Sequence, residues 1–103
     1  MDTLYVNNDH RVELQGLRDS EGVLLSGAAA EATLYAADGT TEVLGQVWPL
    51  EMVYTGSRGT YRAVLSSVLA IVDGGRYKMK LKASYIGKTY EVWRTVKAEV
   101  RNE

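Results

Sequence analysis

The chain carries one histidine, His10 in "NNDHR", and no cysteine. A lone imidazole has no second imidazole with which to hold a metal, and a hydrolytic triad would have to be built around this one residue in an N-terminal turn. His10 therefore reads as an exposed turn residue. Asp19, Ser20 and Glu21 in "RDSEG" offer oxygens of the kind calcium takes. They lack the regular acidic spacing of a calcium loop and read as a solvated turn. No G-x-S-x-G and no phosphate-cradling glycine loop occurs. No pattern singles out a pair of carboxylates for glycosidic cleavage. The expectation is a protein that is not an enzyme, with no catalytic residue, no cofactor and no metal.

What chemistry remains is that of surfaces. In "RYKMKLKASYIGKTYEVW" the lysines Lys78, Lys80 and Lys82 share one parity. If Ile86 and Gly87 form a two-residue hairpin loop, Lys80 lies across from Trp93 and Lys82 across from Glu91. An outward tryptophan beside lysines makes a cation–π pair that covers its own sheet, worth about 0.5–1 kcal/mol. It also suits the centre of a protein interface, where tryptophan is enriched. Trp93, Lys78, Lys80, Lys82 and Glu91 are thus the candidate interaction surface. The self-covering reading is preferred, because lysines on an exposed sheet face also deter edge association. Exposed Trp93 and Tyr35 supply the competing reading, stacking platforms for a carbohydrate.

Strands must hold these residues in place. Turn signals recur at "RDSEG", "ADG", "TGSRG", "DGG" and "IG", separated by short runs rich in Val, Leu, Tyr and Thr, the pattern of an all-β sandwich or barrel. Ala30, Ala32, Leu34 and Ala36 alternate with Glu31, Thr33 and Tyr35. Leu50, Met52 and Tyr54 alternate with Glu51 and Val53, and Tyr61, Ala63 and Leu65 with Thr60, Arg62 and Val64. Each run predicts a strand with one buried face. In the last hairpin Ala83 should face Tyr90, Leu81 should face Val92 and Tyr77 should face Val96. A slip of one residue would set core against solvent.

Other stretches are less determined. The residues around Leu24 to Ala32 favour an extended segment, and Ser66 to Gly75 hold either a helical turn or a short strand. Pro49 belongs near a strand start, since it has no donor for the ladder. "TLYV" and "RVELQGL" are one interrupted strand or two.

At 103 residues the chain is expected to form one domain, residues 1–103. Its hydrophobic share of 46% and charged share of 24% are those of a globular protein. With no cysteine, packing and backbone hydrogen bonds must supply all the stability. A net charge of -1 gives no general pull toward nucleic acid or anionic lipid. The N-terminal "MDTLYVNNDHR" lacks a signal-peptide core and no segment is long enough to span a bilayer, so a cytoplasmic site of folding is expected.

In "DGGRYKMK" the residues Asp73, Gly75 and Tyr77 stand as in the D-x-G-x-Y-x-C run that leads into strand F of immunoglobulin domains, with Met79 in the place of the cysteine. Trp48 falls where a strand C tryptophan would, and Leu34 where the first cysteine of strand B would. The sequence resembles an immunoglobulin-like sandwich, a two-sheet antiparallel fold of about seven strands without a disulfide. A Leu34 to Met79 apolar contact would stand in for the bridge, and the Tyr77 hydroxyl would turn back to the upstream backbone. From Val12 to about Val96 the order of pieces is similar to that of small proteins encoded by tailed bacteriophages and prophages in their head–tail and tail structural genes. That resemblance implies a structural or accessory virion component, made in the host bacterial cytoplasm and then carried in the virion. Its partners would be other phage structural proteins or itself, without nucleic acid or membrane. No family site residues carry over.

Overall fold

In a computed structural model, which describes residues 2–18, 21–25, 27–56 and 58–100, the period-two runs become strands. They are β1 (Asp2–Tyr5), β2 (His10–Leu14), β3 (Ala29–Ala36), β4 (Leu50–Tyr54), β5 (Tyr61–Leu65), β6 (Arg76–Tyr85) and β7 (Lys88–Glu99). The hydrogen-bonded order is β1-β7-β6-β3-β4-β5-β2. Every pair is antiparallel except β1 with β7. Leu50 to Met52 of β4 pair with β3, while Val53 and Tyr54 pair with β5. This short strand is therefore the corner at which the sheet turns over on itself. The result is an all-β, nearly closed barrel or sandwich, open along a seam between β2 and the β1–β7 edge.

Alternation decides what lies inside. Val12 and Leu14, Ala30, Ala32 and Leu34, Met52, Tyr61, Ala63 and Leu65, Met79, Leu81 and Ala83, and Val96 and Ala98 are all buried. Loop residues Leu17, Leu25, Val43, Leu69 and Ile71 close the ends of this core. Each fully buried leucine or valine contributes about 1.5–3 kcal/mol, so the aliphatic interior is the main source of stability. Tyr61 also fastens a loop: its hydroxyl donates to the Leu25 carbonyl at 2.8 Å and accepts from the Ala28 N–H at 3.1 Å.

The β6–β7 register is the one the alternation predicts: Ala83 with Tyr90, Leu81 with Val92, Tyr77 with Val96. Ile86 and Gly87 have φ of 46° and 74°, positive at both positions, as a two-residue type I′ loop requires. The N-terminal run resolves into two strands, which stand at opposite edges of the sheet. Ser66 to Gly75 form turns without a strand, and Leu50 begins β4 directly after Pro49.

Two placements differ from the sequence expectation. Leu34 and Met79 are both buried, but they are cross-strand partners on adjacent strands of one sheet and do not face each other between layers. The strand across the core from Met79 is β2, whose Val12 lines the same cleft as Met79. Trp48 is not on a strand. It lies in the connection between β3 and β4, where its indole N–H donates to the Val43 carbonyl at 2.6 Å. Periodicity identifies the buried face of a run but not the strand it will meet, and Leu34 meets Met79 within one sheet.

Candidate functional site

The run ahead of β6 is built as a knot of short contacts. The Tyr77 hydroxyl turns back and accepts the Val72 N–H at 2.9 Å. Gly75 makes room for this: a Cβ there would sit 2.8 Å from the Tyr77 hydroxyl and 3.0 Å from the Val72 carbonyl oxygen. Gly74 donates to the Ala98 carbonyl, Ala98 donates to the Gly75 carbonyl, and an Asp73 carboxylate oxygen accepts the Val100 N–H at 3.1 Å. Asp73, Gly74 and Gly75 thus tie the start of β6 to the end of β7, and Tyr77 holds the turn at Val72.

That anchorage fixes the outer face of β3, β6 and β7. In register, Thr33, Lys80 and Trp93 form one row, and Glu31, Lys82 and Glu91 the next. The ring centroids of Tyr35 and Trp93 are 5.6 Å apart, tilted by 32°. Lys80 Nζ stands 5.6 Å from the Tyr35 centroid and 5.8 Å from that of Trp93. The Trp93 indole N–H donates to Glu91 Oε1 at 2.7 Å. The cation therefore covers both rings, and the indole's only donor is already used. Beside Trp93 an open cleft of about 490 Å³ is lined by Asp38, Gly39, Lys78, Arg94 and Thr95. The Asp38 carboxyl accepts the Thr41 hydroxyl at 2.6 Å and the N–H groups of Thr41 and Thr40. These bonds, the Thr41 hydroxyl first, lower its pKa to about 2.

His10, expected as an exposed turn residue, is instead half-buried at the start of β2 and lines the seam cleft of about 390 Å³ with Thr3, Leu4, Val12, Met79 and Arg94. Glu21 is exposed, whereas Asp19 and Ser20 lie outside the described residues. Among the described residues no three His, Cys, Asp or Glu side chains converge as metal ligands. No helix among them is long and apolar enough to cross a membrane.

Three features escaped the sequence reading. Arg94 sits on the core-facing parity of β7 and donates across the seam to the Glu13 carbonyl at 3.2 Å. A charge between Val92 and Val96 was the signal for it. Tyr61 fastens its loop through a hydroxyl, which a period-two pattern cannot register. Finally, two uncharged stretches, "VLGQVWPL" and "SSVLAIV", pack against each other. Ala70 donates to the Leu44 carbonyl, Gln46 bonds the Val64 carbonyl and the Ser66 N–H, and the Gly45 backbone abuts Val68. Leu44, Val47, Val64 and Val68 are left exposed around this junction, Val47 by 86%.

The chain matches no protein-family model, and no curated protein or solved structure matches it.

Proposed function

We propose that this chain is a non-enzymatic structural or accessory protein of a bacteriophage or prophage particle, in its head–tail or tail region, acting through protein–protein contacts on an immunoglobulin-like sandwich. Strand connectivity supports the sandwich: β2, β5 and β4 supply one layer, β3, β6 and β7 the other, with β1 parallel to β7 at the edge. On this reading they would be the two layers of an immunoglobulin-type domain. The returning Tyr77 hydroxyl supports it too. Partners would be other structural proteins of the particle or further copies of the chain, first in the host bacterial cytoplasm and then in the virion.

The observation that carries the contact role is the exposure of four aliphatic side chains, Leu44, Val47, Val64 and Val68, around the junction of the two loop stretches. Apolar patches of a few hundred Å² mark interaction sites, because a neighbour that covers them removes apolar area from water without stripping solvent from a charge. Multivalency in a symmetric particle would strengthen each weak contact. The test is to band particles released by the strain that encodes the chain in a density gradient and to probe the fractions for it. The chain should travel with the particles. Val47→Asp combined with Val68→Asp should release it while the free protein keeps its thermal midpoint. A chain that stays in the soluble fraction would refute the particle role.

One observation favours a carbohydrate-binding role, the neighbouring rings of Tyr35 and Trp93 on one outer face. Lys80 over both rings leaves less bare platform for a sugar. Glycan-array binding that disappears in Trp93→Ala would put that reading first.

A further inference from the structure

Arg94 is a charge in an apolar position. It falls between Val92 and Val96 on the core-facing parity of β7, in register with buried Met79, and is itself half-buried. A guanidinium has five N–H donors. Here one goes to the Glu13 carbonyl at 3.2 Å, which is a neutral acceptor. Among the described residues no carboxylate forms an ion pair with Arg94. Holding a cation partly out of water without a counter-charge is unfavourable, so the arrangement calls for an anion.

The seam cleft, which Arg94 lines, has the charge to take one. Arg11 and His10 line it as well, Arg11 being exposed and His10 half-buried. Of the described acidic residues Glu13 lines the cleft, and its carboxylate is held by Arg62 at 3.2 Å. Asp9, next to His10 in the chain, is turned to the Ser67 N–H at 2.9 Å. Two guanidinium charges therefore border the cleft with no carboxylate of their own among the described residues. Leu4, Val12 and Met79, which also line it, are buried and apolar, and an anion beside them is screened less than one in open water.

The fold brings these groups together. His10 and Arg11 come from β2 and Arg94 from β7, strands near opposite ends of the hydrogen-bonded order. They meet only across the seam, because the sheet turns over on itself at β4.

We propose that the seam cleft binds a small phosphate monoester, its phosphate held by Arg94 and Arg11 with the His10 imidazole as a further donor. Two guanidinium groups match a dianion in charge, and the guanidinium fork matches a pair of phosphate oxygens. The cleft volume of about 390 Å³ falls within the range of small-molecule sites, about 300–1,000 Å³. It exceeds what a bare phosphate ion fills and leaves room for an organic group. Nothing in this assignment depends on membership of a particle, so the gradient experiment above and the titration below fail separately.

The ¹⁵N-labelled chain is titrated at constant ionic strength and about pH 7.5, above the second phosphate pKa of about 6. The probes are sodium phosphate, phenyl phosphate and succinate, a dicarboxylate of equal charge. Both phosphates should shift the amide signals of Val12, Glu13 and Val96 saturably, half-way below about 10 mM, with phenyl phosphate at least as tight as the free ion. Arg94→Lys keeps the charge and loses the fork, and should weaken binding about fivefold; Arg94→Gln should weaken it at least about tenfold. Lys88→Gln, at the far end of β7, should leave it unchanged. The titration of the unaltered chain stands whether or not a variant folds. Absence of saturable shifts with both phosphates, binding of the free ion but not of phenyl phosphate, tighter binding of succinate than of either, or a folded Arg94→Gln that binds as the unaltered chain does would each overturn the proposal.

Discussion

Deleting one oxygen from each of three tyrosines should give three different costs. Tyr61 is 1% exposed, and its hydroxyl serves two backbone groups, the Leu25 carbonyl and the Ala28 N–H. Tyr77 serves one, the Val72 N–H. Tyr90 serves none, although its hydroxyl oxygen is buried. A buried backbone group left without a partner costs about 1–3 kcal/mol. Tyr61→Phe orphans two groups, one of them alongside a loop that can admit water, so about 2–4 kcal/mol is expected. Tyr77→Phe orphans a single partly buried amide and should cost about 1–2 kcal/mol. Tyr90→Phe removes an unsatisfied oxygen and should be neutral or stabilising by up to about 1 kcal/mol.

Urea denaturation followed by tryptophan fluorescence reads all three from the midpoint, provided the slope is unchanged. For a domain of this size about 1 kcal/mol moves the thermal midpoint by about 4–8 °C, so the ordering Tyr61, then Tyr77, then Tyr90 is well resolved. If Tyr90→Phe cost as much as Tyr61→Phe, ring packing rather than hydroxyl bonding would set the penalties. If Tyr77→Phe cost nothing, the Val72 amide would not depend on the phenol and the knot before β6 would lose its role.

Three other substitutions probe separate devices. Gly75→Ala brings a Cβ to 2.8 Å from the Tyr77 hydroxyl and should cost about 1–3 kcal/mol; in a Tyr77→Phe background the urea midpoint should fall by less, since the two changes remove one interaction. Ile86 holds a φ of 46° that suits asparagine far better than a β-branched residue, so Ile86→Asn should raise stability by about 0.5–1 kcal/mol in thermal melts. The Asp38 carboxyl, lowered from 3.8 to about 2 chiefly by the Thr41 hydroxyl, contributes stability that is fully present above pH 3.8 and lost as pH falls through about 2. A ¹³C titration should place its midpoint near 2, and Thr41→Val should move that midpoint up toward 3.8.

The β6–β7 hairpin was legible because lysines and apolar residues alternate without a break on β6 and a two-residue loop leaves one register that buries both apolar sets. The outer row of Lys80 with Trp93 and Lys82 with Glu91 followed from that register alone. Tyr35, in register with Lys78, meets Lys80 and Trp93 diagonally only through the pairing of β3 with β6, which no local pattern announces. The same gap in information misplaced Leu34, whose burial was foreseen but whose neighbour was not. Trp48 was misread because its place in the chain matches that of a strand C tryptophan, whereas it lies in a connection where its indole bonds the Val43 carbonyl. The aliphatic junction of Leu44 and Val68 was invisible for a different reason: its residues have no period, and their exposure depends on two loops meeting.

Among the described residues the sheet ends at β1 and β2, and β7 runs on beyond the short β1. On β2 the edge-directed group that can be placed is the Glu13 carbonyl, which Arg94 already occupies, while Arg62 holds the Glu13 carboxylate at 3.2 Å. A strand arriving there must displace a guanidinium from a carbonyl and approach the charged Arg11, so β2 resists pairing with any partner. Along β7 the stretch from Thr89 to Thr95 carries one carboxylate, Glu91, which accepts the Trp93 indole N–H, and one guanidinium, Arg94, which is bonded across the seam to the Glu13 carbonyl. Lys78, Lys80 and Lys82 line the outer face of the neighbouring strand, so stacking of two copies face to face brings six ammonium groups together. These lysines therefore oppose face-to-face stacking of the sheet in this cysteine-free domain.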